Sequence, residues 1–173
     1  VVYIHGGGFV SGDKTKISPA LVASCRESGA AFASINYRFR QEAPVQDILR
    51  DAARAIQFLR FHAAEYGIDP TRIACMGGSA GAGTSLCLAA HDDLADPASA
   101  DPVLRQSSRV AAAACVNTQA TYDITQWDRI VGPFRDEWKS GPDEEVLFYH
   151  FANRAALTSE KGKRVLADCD MLR

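Results

Sequence analysis

The chain has 173 residues, of which 47% are hydrophobic, and its formal net charge at pH 7 is −2. These values are typical of one globular domain with a hydrophobic core. The charge provides neither the basic surface of a nucleic-acid-binding protein nor an acidic tail. No apolar run approaches the length of a membrane-spanning helix, so we expect no membrane span.

The cysteines favour a reducing, cytoplasmic compartment. Their number, five, is odd, none forms a C-x-x-C pair, and at least three lie in apolar runs, so we interpret them as small core residues and expect no metal site. The sequence begins at Val1, already within a strand pattern, so a signal peptide upstream of it stays open. The cysteines are Cys25, Cys75, Cys87, Cys115 and Cys169.

Short apolar runs and helical patterns alternate over residues 1–117. This order predicts an α/β fold with a doubly wound, mostly parallel sheet, so residues 1–117 are interpreted as a partial core domain. The predicted strands are Val1–Ile4, Ala30–Tyr37, Arg72–Cys75 and Val110–Val116, and the predicted helices are Ile17–Ser28, Pro44–Ala63 and Thr84–Ala90.

The helix that begins at Pro44 has the clearest amphipathic pattern of the chain. Proline is tolerated in a first helical turn, and Gly67 provides the stop signal. We assign Gln57 to the polar face, together with Arg50 and Arg54. The apolar face consists of Val45, Ile48, Leu49, Ala52, Ile56, Leu59 and Ala63.

The composition changes after Asn117. Residues 118–173 have many charges and no clear period before two predicted helices, at 144–154 and 159–172. We interpret them as a helical, cap-like insertion over the sheet. Trp127 and Trp138 either line a substrate pocket or are packing residues, and Asp168 and Asp170 are assigned to a helix surface.

A Gly-x-Ser-x-Gly motif, Gly77–Gly81, lies between a predicted strand and a predicted helix. This context is typical of a nucleophile elbow, in which a strained serine stands clear of the sheet. Glycine at 77 and 81 avoids clashes across the sharp turn. The serine oxygen of Ser79 would then lie above the positive end of the following helix.

Two other interpretations of this motif stay open. Gly78 and Gly83 have the spacing of a P-loop, although Thr84 stands where that motif requires lysine. Alternatively, the glycines and alanines serve only the close packing of a helix entry.

A second glycine motif, His5–Phe9 (HGGGF), follows the first predicted strand. Three successive glycines allow backbone N–H groups to approach a ligand closely. Since the carboxyl ends of parallel strands share one edge, the N–H groups of Gly7, Gly8 and Ala80 are expected to converge on one oxygen. That arrangement is an oxyanion hole.

These two motifs, with Asn36–Arg38 and Gly67–Ile73, resemble the α/β-hydrolase fold and its carboxylesterases of the hormone-sensitive-lipase type. The resemblance implies a serine hydrolase that needs no cofactor and acts on a small-molecule carboxylic ester. It implies Ser79 as nucleophile and Gly7, Gly8 and Ala80 as oxyanion hole. His5 would shape the glycine loop and would not be the base.

Two stretches depart from the usual pattern of these esterases. Gly78 precedes the serine where an acidic residue is common, and Phe39–Glu42 replaces the usual Leu-Ala-Pro-Glu. Formamidase-like and acetyl-ester-cleaving relatives share both glycine motifs, so an amide or acetyl-ester hydrolase stays an alternative. A non-catalytic binding protein on the same scaffold is a further alternative, because a fold does not fix a function.

The other triad members are expected outside these residues. In this fold the acid and then the histidine follow the nucleophile on two later strands, and only one strand is predicted after Ser79. We therefore expect the acid and base beyond Arg173, strands missing at both ends, and poor ester hydrolysis by this chain alone. His62, His91 and His150 are interpreted as packing or surface residues, and no histidine is expected to contact Ser79.

Overall fold

The computed structural model describes residues 1–131 and 144–171. Strands and helices alternate in the order that the sequence predicts. The strands are β1 (Val2–Ile4), β2 (Ala33–Ile35), β3 (Ala74–Gly78) and β4 (Ala112–Val116). The helices are α1 (Pro19–Glu27), α2 (Val45–Phe61), α3 (Ala63–Tyr66), α4 (Ala80–Ala90), α5 (Trp127–Val131), α6 (Glu144–Tyr149) and α7 (Glu160–Asp168), with 3₁₀ turns at Ile124–Gln126 and Arg154–Thr158.

The strands form one parallel sheet in the order β2-β1-β3-β4. From β1 the chain moves outward to β2, then returns past β1 to β3, so the direction of winding reverses between β1 and β3. Ile4, the last residue of β1, is in register with Gly77 of β3. Ligands of open α/β sheets bind at the carboxyl ends of the strands at such a switch point. The predicted parallel α/β architecture is confirmed.

Several element boundaries differ from the prediction, and two of them bear on the site. Strand β2 ends at Ile35 because the next two residues leave the sheet. The Asn36 side chain accepts a hydrogen bond from Lys14 N, and the Tyr37 hydroxyl donates one to His5 O. Helix α4 begins at Ala80, one residue after the serine, because the strand β3 continues through Gly78.

The amphipathic helix after Pro44 is confirmed, with a break at His62 and an end at Gly67, whose φ is 62°. The assignment of Gln57 to the polar face was wrong. Gln57 is 2% exposed, and its Nε2 lies 2.8 Å from the carbonyl oxygen of Gln106, with two longer bonds to loop carbonyls. Loop carbonyls without a strand partner need a donor when buried, and this amide provides it.

The described part of residues 118–171 contains helices and 3₁₀ turns but no strand. Tyr122 and Tyr149 are buried in the same core cluster as β1 and α2. Asp168 is exposed, as expected, but the surface assignment of Asp170 was wrong: it is 8% exposed and accepts a hydrogen bond from Thr121. The cap-like insertion stays a prediction. Trp138 lies outside the described residues.

A search of the described helices for one long and apolar enough to cross a membrane found none.

Replacing Gln57 with leucine is expected to lower the free energy of unfolding by about 1–3 kcal/mol, because buried loop carbonyls then lose their donor. Chemical denaturation followed by circular dichroism measures it. Gln41→Leu, at an exposed position before α2, is the control and should change stability by less than about 0.5 kcal/mol. Equal stabilities of the two variants would contradict the prediction.

Candidate active site

The two glycine motifs lie against each other at the switch point of the sheet. A Cβ atom at Gly81 would collide with the carbonyl oxygen of Ile4, and one at Gly77 would lie 2.5 Å from the same oxygen. A Cβ atom at Gly6 would lie 2.7 Å from the carbonyl oxygen of Gly78 and 3.4 Å from Ser79 Cβ. The prediction that His5–Phe9 and Gly77–Gly81 lie side by side is confirmed.

Ser79 has a strained backbone, with φ 53° and ψ −121°. Positive φ is uncommon for residues other than glycine, and such strain persists only where the surroundings enforce it. Here the Ser79 N–H donates to Val116 O at 2.9 Å, and the Ser79 carbonyl accepts from Gly83 N at 3.0 Å. The side chain is exposed while Ala80 is buried. This geometry is that of a nucleophile elbow.

Three backbone N–H groups of the two glycine motifs have no acceptor among the described residues. Gly7 and Gly8 both have positive φ, 120° and 60°, and the Gly7 carbonyl accepts from the N–H groups of Val10 and Ser11. No acceptor among the described residues is bonded to the N–H of Gly7, Gly8 or Ala80. These three groups are therefore free to donate to a bound oxygen.

His5 holds the glycine loop in place. It is 4% exposed, its ring stacks on Tyr37 at a centroid distance of 4.3 Å, and its Nδ1 lies 2.8 Å from Gly6 O. The Tyr37 hydroxyl donates to the His5 carbonyl at 2.7 Å. Burial raises the pKa of Tyr37, so the hydroxyl keeps its proton and remains a donor.

Asn36–Arg38 anchors this edge of the sheet in a way that the sequence analysis missed. Asn36 Oδ1 accepts from Lys14 N at 2.6 Å, which ties the chain after the glycine loop to the end of β2. Arg38 forms a two-pronged ion pair with Asp51 of α2, at 2.8 and 2.7 Å. A polar tripeptide directly after the apolar run of β2 was the available signal.

No histidine among the described residues hydrogen-bonds to Ser79, as predicted. His62 pairs with Glu65 at 2.8 Å. His91 lies at the other end of α4, about 18 Å from Ser79 at 1.5 Å per residue. His150 Nε2 lies 2.6 Å from the carbonyl oxygen of Arg40.

The buried thiols do not compete with Ser79 as nucleophiles. Burial raises the pKa of Cys75 to about 11 and that of Cys87 to about 12, so both stay protonated near neutral pH. Cys169 is buried as well, which confirms three of the five as core residues, and all five are free thiols.

The sequence model of the family described as BD-FAE matches residues 1–160. The chain belongs to the BD-FAE family. It is similar to a probable isoprenylcysteine alpha-carbonyl methylesterase from Arabidopsis thaliana, with 34% identity over 112 residues, 65% of this chain and 23% of that protein.

Solved structures of esterases share the fold. An acetyl ester-xyloside bifunctional hydrolase from Caldicellulosiruptor lactoaceticus superimposes with a TM-score of 0.58 at 30% identity, covering 66% of this chain and 42% of that one. Esterase 2 of Thermogutta terrifontis, phosphonylated by cyclosarin, has a TM-score of 0.52 at 35% identity, covering 68% and 44%. These matches confirm the α/β-hydrolase fold, in incomplete form, and the resemblance to esterases.

This BD-FAE chain spans 20–28% of the length of the first curated relatives that it matches. It spans about two fifths of the solved structures, 42% of the Caldicellulosiruptor lactoaceticus hydrolase and 44% of the phosphonylated Thermogutta terrifontis esterase 2.

Replacing Gly81 with alanine is expected to lower the free energy of unfolding by about 1–3 kcal/mol, because the new methyl group overlaps the Ile4 carbonyl. Gly78→Ala is the matched control within the motif. There the nearest atom to the added Cβ is Val116 O at 3.9 Å, an ordinary contact. Thermal unfolding compares the two variants. Equal stability of both would contradict the close packing at Gly81.

The pKa of Asp13 is expected near 2 and is expected to rise toward 3.8 in Thr15→Ala. The Thr15 hydroxyl and N–H and the Asn36 amide all donate to this carboxylate and lower its pKa. Since the folded-state pKa is depressed, the carboxylate contributes stability above pH 3.8 that is lost as the pH falls toward 2. An NMR pH titration of the carboxyl measures the shift.

Asp69 is the control for that titration. Its carboxylate is held in the same way by Thr71, with a pKa lowered to about 2, and Thr15→Ala should leave it unchanged. An Asp13 pKa that does not respond to Thr15→Ala would contradict the prediction.

Proposed function

We propose that this BD-FAE chain is the nucleophile-bearing part of a serine hydrolase that cleaves small-molecule carboxylic esters. Ser79 is the nucleophile, and the N–H groups of Gly7, Gly8 and Ala80 form the oxyanion hole. The observation that carries the proposal is the strained, exposed Ser79 packed against Gly6, at the start of a glycine loop whose Gly7 and Gly8 N–H groups are unpaired.

In the proposed reaction, Ser79 Oγ attacks the ester carbonyl carbon and its proton passes to a base. The carbonyl oxygen becomes an oxyanion, which accepts hydrogen bonds from the three N–H groups. Collapse of this intermediate breaks the bond to the alcohol oxygen, which takes the proton from the base and leaves as the alcohol, while the acyl group stays on Ser79. Water then attacks the acyl carbon and gives a proton to the base, and the carboxylic acid leaves as that proton returns to Ser79 Oγ. Removing one such donor typically costs about 2.7–4 kcal/mol in the transition state.

The geometry disfavours the two other interpretations of the glycine motif. A P-loop needs lysine at position 84, where Thr84 instead donates its hydroxyl to Ala80 O at 2.8 Å. Helix packing alone explains Gly77 and Gly81 but not a serine at φ 53°.

The strain at Ser79 also disfavours a non-catalytic binding protein. A residue in a sparsely populated backbone region costs about 1–3 kcal/mol, and a binding protein has no need for that strain.

The comparisons support an ester as substrate. The relatives are named as methylesterase, carboxylesterase and carboxylic ester hydrolase, and the solved neighbours as esterases. Phosphonylation of the Thermogutta terrifontis enzyme is consistent with a nucleophilic mechanism. The base and its acid partner are proposed to lie outside the described residues, since none of the described histidines bonds to Ser79.

The test is hydrolysis of a short-chain aryl ester, such as 4-nitrophenyl acetate, by the complete gene product that contains these residues. Ser79→Ala is expected to lower kcat by at least about 10³-fold, because a triad without its nucleophile retains only binding and the oxyanion hole. A phosphonyl fluoride should label the wild type once, at Ser79, as read by peptide mass spectrometry.

Ser28→Ala is the matched control, because Ser28 is an exposed serine at the end of α1. It should leave turnover and labelling unchanged. Turnover that survives in Ser79→Ala, or a label on another residue, would overturn the proposed function.

A further inference from the structure

Tyr122 contacts both glycine motifs, although it belongs to neither. Its hydroxyl donates to the carbonyl oxygen of Ala80 at 2.6 Å, in the first turn of α4. Its ring packs edge-on against Phe9, the residue after Gly8, at a centroid distance of 5.1 Å. One side chain therefore joins the elbow to the glycine loop.

The surroundings keep the Tyr122 side chain in one position. The residue is 2% exposed, its N–H donates to Cys169 O at 3.0 Å, and its carbonyl accepts from the Tyr149 hydroxyl at 2.5 Å. Tyr149 in turn accepts from Ile124 N at 3.0 Å. Because both its backbone N–H and its carbonyl are hydrogen-bonded, Tyr122 is a rigid support for the residues that its side chain contacts.

Helix α4 is shaped to receive this hydroxyl. A Cβ atom at Gly83 would overlap the hydroxyl oxygen of Tyr122, so only glycine fits at that position. Burial raises the pKa of Tyr122, so the hydroxyl remains protonated and continues to donate.

The glycine loop needs such a support. Phe9 has φ 61°, which is strained for an aromatic residue, and it is 3% exposed. The Phe9 carbonyl accepts a hydrogen bond from Arg40 N at 2.7 Å, and the Phe9 ring also contacts Tyr37 and Phe148. Among these contacts, the one with Tyr122 leads directly to the first turn of α4.

We propose that Tyr122 is a positioning residue that fixes the distance between the Gly7 and Gly8 donors and the Ala80 donor. The proposal rests on the proposed function, because it concerns the same oxyanion hole. Without the hydroxyl, the first turn of α4 loses its bond to the segment that also supports Phe9. The donors then hold the oxyanion less well in the transition state, whereas ground-state binding of the ester changes little.

The test is Tyr122→Phe in the complete gene product, which keeps the ring and removes only the hydroxyl. We expect kcat for 4-nitrophenyl acetate to fall by about 10-fold to 100-fold with KM nearly unchanged, as for a small misplacement of catalytic groups. Hydrogen–deuterium exchange by mass spectrometry should accelerate in peptides covering residues 5–12 and 79–86.

Thr121→Val is the matched control. It removes a buried hydroxyl from the neighbouring residue, one that donates to Asp170 and accepts from Asp123 N, both outside the two glycine motifs. A structural loss alone would change both variants alike. Equal kcat in the two variants, or a change confined to KM, would overturn the proposal.

The outcome is distinguishable from failure of the proposed function. If Ser79→Ala keeps its turnover, the esterase assignment fails, and the exchange measurement then decides the role of Tyr122. Faster exchange in both peptides of Tyr122→Phe, beyond that in Thr121→Val, supports the mechanical link. Exchange equal in the two variants overturns it.

Discussion

The contact between the end of β1 and the first turn of α4 is the constraint on which the site depends. Ile4 O occupies the space that side chains at positions 77 and 81 would fill, and a Cβ atom at Gly6 would lie 2.7 Å from Gly78 O. Because protein interiors are close-packed, these backbone contacts leave little freedom in the spacing between Ile4–Gly6 and the elbow. The proposed nucleophile and the start of the glycine loop are therefore placed by backbone packing, and the rest of the loop needs further support.

Much of the fold and of the site was predictable, because both depend on local pattern. Alternating apolar runs and helical periods predicted the parallel sheet, and glycines after two buried strands predicted the adjacency of the loops. Gln57, Asp170 and Tyr122 were not predictable, because their roles depend on partners 37 or more residues away in the chain. A sequence pattern reports which face a residue is on, not which distant carbonyl needs a donor.

The supports of the glycine loop come from two segments that are distant in the chain. Tyr37 and Arg40 lie in the connection between β2 and α2, and Tyr122 follows β4. Each of the three contacts His5 or Phe9, the residues that flank the three glycines, through a hydrogen bond, a ring contact or both. Glycines lose more conformational freedom on folding than other residues, so the rigidity of this loop has to come from its flanks.

The strain at Ser79 connects stability with the proposed chemistry. A connection from a strand to a helix does not require a positive φ at a residue that carries a side chain. The Ser79 backbone, at φ 53°, is therefore in a costly conformation that its surroundings have to enforce. Its enforcement comes from β4 through the Val116 carbonyl, from α4 through the Gly83 N–H, and from Gly6 on the other side. The result is an exposed hydroxyl on a buried, rigid turn, which is what attack on a bound carbonyl carbon requires.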